Sequence, residues 1–269
     1  ELLHSKRNYH QSEQATYNMG ENFRNLQDNK LAKLLIDVCR SQSVAVFGNV
    51  SIAILLACAI SFGYAHLHQQ PILDAHTTAY QFKSIDIINH PTLWYAAIAG
   101  LWLFCSGIIA GFFDNRADYL NLRQRLPFNP LLRKIMRPKP RRVLAAYIHK
   151  HYGSLVGNFI FGMLLGMTGY FGHLLGLPLD IRHVAFSSAN LGYAAISGNI
   201  GFGTFLLGIC SVLAIGLVNL IVSFTLALFV ALRSRGTKIG SVGNLCKSFW
   251  QQIKANPLIL FFPDRKSVV

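Results

Sequence analysis

Ionisable side chains of three types are concentrated in one short run of the sequence, residues 177–183, which is Leu-Pro-Leu-Asp-Ile-Arg-His. Asp180, Arg182 and His183 provide a carboxylate, a guanidinium and an imidazole within four residues, just after a proline that stops an apolar stretch. These groups have the chemistry of an ion-pair gate, an anion site or a metal site. The structural alternative is an Asp180–Arg182 ion pair that orients the next segment, and the sequence leaves both interpretations open.

A second charged run, Asp114-Asn115-Arg116, follows another apolar stretch. We expect Asp114 and Arg116 to cap the end of a helix there, and all three residues are candidates for a functional role.

Amide and hydroxyl side chains occur inside the apolar stretches, at Asn158, Asn219 and Ser223. Asn219 and Ser223 are four residues apart and therefore share one face of a helix. The interpretation that the sequence favours is hydrogen bonding between helices, worth about 0.6 kcal/mol for each bond. The alternative is that these groups line a path for a solute.

The sequence predicts no metal site, no cofactor and no catalytic residues. The five cysteines form no C-x-x-C pair, and His66, His68, His76 and His90 lack the fixed spacing of a metal site. Phosphate-binding loops, zinc-hydrolase helices, serine-hydrolase elbows and dinucleotide turns are also missing. The sequence therefore favours a protein that is not an enzyme.

The elements that must position these residues are long apolar helices. Apolar residues make up 52% of the 269-residue chain and charged residues only 13%. Windows without Lys, Arg, Asp or Glu occupy residues 44–65, 94–113, 153–177 and 207–232. Because about 20 apolar residues suffice to cross a bilayer, we predict an all-α polytopic membrane protein with four transmembrane helices.

The basic residues alternate between the connecting segments. Residues 1–43, 114–152 and 233–269 carry six, ten and seven Lys and Arg, whereas 66–93 and 178–206 carry one each. Short basic segments stay in the cytoplasm, so the pattern predicts a bacterial inner-membrane protein with both termini inside. The net charge of +14 is then explained by this rule and by anionic lipid headgroups.

The same windows predict the domain organisation. We expect a cytoplasmic N-terminal segment (1–43), a first transmembrane hairpin (44–113) and a basic cytoplasmic loop (114–152). A second transmembrane hairpin (153–232) and a basic cytoplasmic tail (233–269) follow. Amphipathic patterns near residues 31–38, 143–148 and 245–253 predict helices lying on the membrane. The Arg137–Arg142 stretch is interpreted as a turn that contacts headgroups. Residues 184–206, apolar but rich in Ser, Asn and Gly, predict a re-entrant or periplasmic half-helix.

Several motifs resemble a bacterial membrane-protein family described as "site-specific recombinase". They are LPLDIRHVAFSS (177–188), IAGLWLF (98–104), FFDNRA (112–117), GNFIFG (157–162), GLVNLIVSF (216–224) and LFFP (260–263). The resemblance covers residues 31–263. It implies that the chain corresponds to the C-terminal membrane portion of longer proteins, and the family's description implies DNA strand exchange.

Two functions follow from these observations. The leading hypothesis is an inner-membrane protein that transports a solute, or that forms the membrane core of an envelope or regulatory assembly. The alternative is a membrane-tethered DNA recombination or DNA-binding protein whose catalytic groups lie outside this chain. A tyrosine recombinase needs an H-x-x-R motif, and the only one in this sequence is His4 to Arg7. The expected partner is a bilayer with anionic headgroups. Self-association or a larger membrane complex stays open as a further partner, and nucleic acid is disfavoured.

Overall fold

The computed structural model describes the backbone of residues 2–234 and 242–257, and the side chains of 29–231, 233 and 247–257. The structure is 86% helical, and the described residues form no strand. Four of the described helices are long and apolar enough to cross a membrane. The predicted fold class is confirmed. The predicted tail 233–269, with the motif at 260–263, lies partly outside the described residues.

The helices follow one another with short connections. In chain order they are α1 (Leu2–His68), α2 (Ala75–Ile85), α3 (Thr92–Tyr119), α4 (Leu122–Arg125), α5 (Pro130–Ile135), α6 (Pro138–Leu175), α7 (Val184–Ser197), α8 (Phe202–Ser234) and α9 (Val242–Ala255). A 3₁₀ turn, Leu126–Phe128, joins α4 to α5.

Two of the predicted amphipathic stretches continue directly into apolar helices. The stretch at 31–38 belongs to α1, which runs without interruption for 67 residues. The stretch at 143–148 belongs to α6, which begins at Pro138 and also includes the third apolar window. Each of these polar stretches therefore belongs to the same helix as an apolar window.

Prolines divide the segment between α3 and α6. Pro127, Pro130 and Pro138 each stand in the first turn of a helical piece, where the missing N–H leaves no hydrogen bond unmade. The expected headgroup-contacting turn at Arg137–Arg142 is wrong as a local structure, because these residues form the N-cap and first turns of α6.

A long helix, a short helix and a second long helix occur twice in the described chain, as α1–α2–α3 and as α6–α7–α8. The two short helices, α2 and α7, pack against each other. Asp74 caps the start of α2 by accepting a hydrogen bond from the Thr77 amide at 2.9 Å. This pairing gives the short helices a common partner that is remote in sequence.

The short helix predicted within 184–206 is present but ends earlier than expected. It spans Val184–Ser197, and Gly198 is its C-cap. Asn199 then adopts a left-handed backbone with φ of 45°, which reverses the chain before α8 starts at Phe202. Residues 202–206 are thus the beginning of α8.

Glycines on two faces of α6 have different surroundings. A Cβ atom at Gly153 or Gly157 would collide with Ala110 of α3, so these glycines permit the close packing of α3 on α6. Gly162 and Gly166, which are four residues apart on another face of α6, have nothing within 4 Å of the place where a Cβ atom would lie. The face that packs inside the chain is therefore the other one.

The chain separates into two compact units. Residues 48–230 form one unit, which contains every site described below. Residues 1–47 and 231–269 form the other, where the side-chain amide of Gln252 donates to the Asn29 carbonyl at 3.0 Å.

Candidate functional site

Asn219 connects three segments of the chain at the middle of α8. Its Nδ2 donates to the Ala96 carbonyl of α3 at 2.7 Å and to the Arg182 carbonyl at 3.1 Å. Its Oδ1 accepts from the backbone N–H of Val184, the first residue of α7, at 3.1 Å. Asn219 is only 2% exposed and lies about 26 Å along α8 from Phe202. The N-terminus of α7 is consequently held at half the height of α8.

Arg182 is engaged on several sides. Its Nε donates to the Ser84 carbonyl at the end of α2, at 2.7 Å. Its Nη1 lies 2.7 Å from Asp180 Oδ2 and also donates to the Ile181 carbonyl. The guanidinium carbon is 5.7 Å from the centre of the Tyr95 ring. We call Ser84, Asp180, Arg182 and Asn219 the polar junction.

His183 completes this region without joining the hydrogen bonds. Its ring meets the edges of Phe161 and Phe186, with centroid distances of 5.2 and 5.9 Å. Burial among these rings lowers the pKa of His183, so the imidazole is neutral at pH 7. A neutral ring between aromatic side chains acts here as packing.

The polar groups of the junction are bonded to one another and to the backbone of the chain. The Arg182 charge is balanced by Asp180 and the Asn219 amide is used on both its oxygen and its nitrogen. Among the residues that the structure describes, no group of three His, Cys, Asp or Glu side chains is placed to hold a metal ion. The junction therefore satisfies the backbone where α7 begins, as the ion-pair alternative expects.

Helix α7 packs closely on both neighbouring long helices. A Cβ atom at Gly192 would lie 2.7 Å from the Ala57 Cβ of α1, and one at Gly208 of α8 would lie 2.5 Å from Leu191. The Cys58 thiol of α1 also lies 3.6 Å from the Gly192 carbonyl. The contacts of Gly192 therefore leave no room for a larger side chain at this position.

Asp114 lies in a different environment from the one predicted. Helix α3 continues to Tyr119, so Asp114 lies before its end, whereas Arg116 lies in its last turn as predicted. Instead, Asp114 Oδ1 accepts from the Gly153 backbone N–H of α6 at 2.8 Å. Asp114 also lines an open cleft of about 470 Å³, here called the charged cleft, whose other lining residues are Asp118, Arg123, Ala146, His149 and Lys150.

The remaining predicted residues are not brought together. Asn115, Arg116 and Asn158 are exposed. Ser223 shares a helix with Asn219 but donates only to the Leu220 carbonyl of its own helix, at 3.1 Å. The expected polar face of Asn219 and Ser223 is therefore not a shared binding surface.

Sequence reasoning missed the partners of both sites. Ser84 contributes through its backbone carbonyl, for which a sequence gives no signal. Asp118 and His149 are 31 residues apart yet their Oδ1 and Nε2 atoms lie 3.5 Å apart. An i, i+4 pairing of Asp114 with Asp118 on one face of α3 was the signal available for the cleft.

Comparisons with known proteins place the chain in a family. No curated protein and no solved structure shows significant similarity to it. A family model described as "Site-specific recombinase" matches residues 15–263, so it begins 16 residues before the range 31–263 over which the sequence resembles that family. The match covers nearly the whole chain and includes the polar junction and the charged cleft, so this protein belongs to the site-specific recombinase family.

Proposed function

We propose that this chain is an integral protein of the bacterial inner membrane and that residues 48–230 form the membrane core of an envelope or regulatory assembly. The four long apolar helices support insertion. The observation that carries the proposal is the hydrogen bonding of the buried Asn219 side chain. Its oxygen and its nitrogen both bond within the chain and join α8 to α7 and α3.

Transport of a solute has less support. A solute path needs polar groups that face an open channel, whereas Ser187 and Ser188 of α7 are buried and Asn219 is fully bonded. The close approach of Gly192 to α1 also argues against a water-filled space along α7. The exposed face at Gly162 and Gly166 instead supports contact with another helix of an assembly.

The distribution of basic residues supports the orientation with both termini inside. Nine of the ten Lys and Arg of residues 114–152 are exposed, which suits the anionic inner leaflet. Segments 66–93 and 178–206, with one basic residue each, then reach the periplasmic side, and α7 is re-entrant because it begins at half the height of α8.

DNA binding is a second candidate, favoured by the family description and by the exposed basic residues of 114–152. Apolar side chains in that segment weigh against it, because Phe128, Leu131 and Ile135 are each about 70% exposed or more. Basic and apolar groups together suit a headgroup layer better than a DNA backbone. Duplex DNA binding by the full chain, with affinity falling steeply between 50 and 200 mM salt, would favour this candidate over the core.

Labelling of single cysteines tests the proposal. Cys58 is kept as the probe of the α1–α7 contact, and the other four cysteines are replaced by alanine. A second variant without Cys58 carries Gln70→Cys, at an exposed position after α1. In intact cells a charged, membrane-impermeant maleimide should label Gln70→Cys rapidly and Cys58 only after denaturation.

Each outcome has a defined meaning. Labelling of Cys58 as fast as of Gln70→Cys would require water beside α7 and would contradict the core in favour of a solute path. Labelling of Gln70→Cys only after the inner membrane is opened would contradict the orientation. Release of the protein from membranes by alkaline carbonate would contradict insertion itself.

A further inference from the structure

The charged cleft separates opposite charges by element. Asp114 and Asp118 lie on α3, four residues apart, and form an acidic wall. Arg123 of α4 and Lys150 of α6 contribute the positive charges of the lining. A ligand that is purely anionic would meet the carboxylates, and a purely cationic one would meet Arg123 and Lys150. The lining therefore matches a ligand that carries both charges.

His149 also lines this cleft. Its Nε2 lies 3.5 Å from Asp118 Oδ1. Its Nδ1 is closed to solvent and finds no hydrogen-bond partner among the described residues. A ligand in the cleft therefore meets the edge of the imidazole that lies beside Asp118.

An open track leads from the cleft along α3. Gly107, Gly111 and Asp118 share one face of the helix, at i, i+4 and i+11. A Cβ atom at Gly107 or Gly111 would meet nothing within 4 Å. This face belongs to the apolar run that ends at Phe113, so an alkyl chain can lie there while a polar group occupies the cleft.

We propose that the charged cleft binds the phosphoethanolamine headgroup of a membrane lipid, with one acyl chain along Gly111 and Gly107. The ammonium group pairs with Asp118 and Asp114. The phosphate is bound by Arg123 and Lys150. Soluble phosphoethanolamine shares the headgroup chemistry but has no chain to occupy the glycine track.

This inference rests on the proposed insertion of α3 and α6 into a bilayer, and it goes beyond the role as a membrane core. The boundary between Phe113 and Asp114 marks the place where the apolar run of α3 gives way to charge. Headgroups lie at that level of an inserted helix, so the cleft meets the group that it is suited to bind.

The test is a binding titration of the purified full chain in detergent. The probes are short-chain phosphatidylethanolamine, phosphatidylglycerol with the same chains, and soluble phosphoethanolamine. The wild type should bind phosphatidylethanolamine about tenfold more tightly than phosphatidylglycerol, as one charge-assisted hydrogen bond allows. Asp118→Asn should abolish this preference, and Lys150→Gln should weaken binding of both lipids.

Two further variants separate the parts of the proposal. Gly111→Leu fills the track and should weaken binding of the lipid while leaving that of soluble phosphoethanolamine unchanged. Arg133→Gln, an exposed basic residue of α5 outside the cleft, is the matched control and should change neither.

The inference is overturned if the wild type binds both lipids equally, or if Asp118→Asn leaves the preference intact. It is also overturned if soluble phosphoethanolamine binds as tightly as the lipid and Gly111→Leu has no effect. A protein that resists alkaline extraction but shows no headgroup preference sinks this inference alone, whereas an extracted protein sinks the proposed function.

Discussion

The polar junction and the charged cleft use similar residues in opposite ways. In the junction, the side chain of Arg182 is 14% exposed, and Asn219 as a whole residue is 2% exposed. Both residues form their bonds with other parts of the same chain. In the cleft, the Asp118 side chain is 79% exposed and His149 keeps a buried nitrogen without a described partner. Charge that is balanced within the chain supports the fold, whereas charge left open to the outside is available to a ligand.

The largest effect is expected at the centre of the junction. Asn219→Leu removes three hydrogen bonds and leaves the Val184 N–H and the Arg182 carbonyl without these partners, so we expect a loss of about 3 kcal/mol in unfolding free energy. Thermal unfolding in detergent measures this change. Ser223→Ala, on the same helix, removes only a bond within α8 and should cost less than about 0.5 kcal/mol. Equal effects of the two variants would contradict the special role of the junction.

A somewhat smaller loss is expected where α7 meets α1. Gly192→Val puts a side chain where even a Cβ atom would lie 2.7 Å from Ala57, so overpacking should cost about 2 kcal/mol. Gly162→Ala is the control, because open space surrounds that glycine and alanine favours a helix by about 0.5–1 kcal/mol. A Gly192→Val protein as stable as the wild type would show that α7 is not packed as described.

Acid should weaken the packing of His183 between Phe161 and Phe186. Because burial lowers its pKa in the folded protein, the unfolded chain binds a proton first as the pH falls below about 6.5. The contribution of His183 to stability is therefore complete above that pH and is lost on acidification. His183→Phe should flatten the decline of melting temperature between pH 7 and pH 5. An unchanged profile would place the acid-sensitive group elsewhere.

The smallest effect on stability is expected at the cleft. Lys150 is exposed, so Lys150→Gln should change the unfolding free energy by less than about 0.5 kcal/mol. The same variant should weaken lipid binding, so that its effect on the ligand can be distinguished from its effect on stability. A large fall in melting temperature would mean that the cleft, like the junction, supports the fold.

The long helices were predictable because hydropathy and charge act locally along the chain. The Asp180–Arg182 pair was foreseen for the same reason, since the two residues are neighbours. The ends of the helices were harder to predict from the sequence. Asp114 was expected to mark the end of α3, but its carboxylate is satisfied by Gly153 of a distant helix, and α3 continues to Tyr119.

The partners across the fold could not be predicted from spacing. Asn219 was recognised as an interhelical group, but its partner Ala96 is 123 residues away and contributes only a backbone carbonyl. The glycines of α6 repeat on more than one face, and only the packing against α3 distinguishes Gly157 from Gly162.

The position of Asn219 also has a consequence for biosynthesis. Helix α7 leaves the ribosome before the residue that holds its first amide, since Asn219 follows Val184 by 35 positions. During translation the nascent chain already contains Ala96 and Val184 but lacks the Asn219 amide that joins them. The start of the short helix can therefore be fixed against α3 in this way only after α8 has been made.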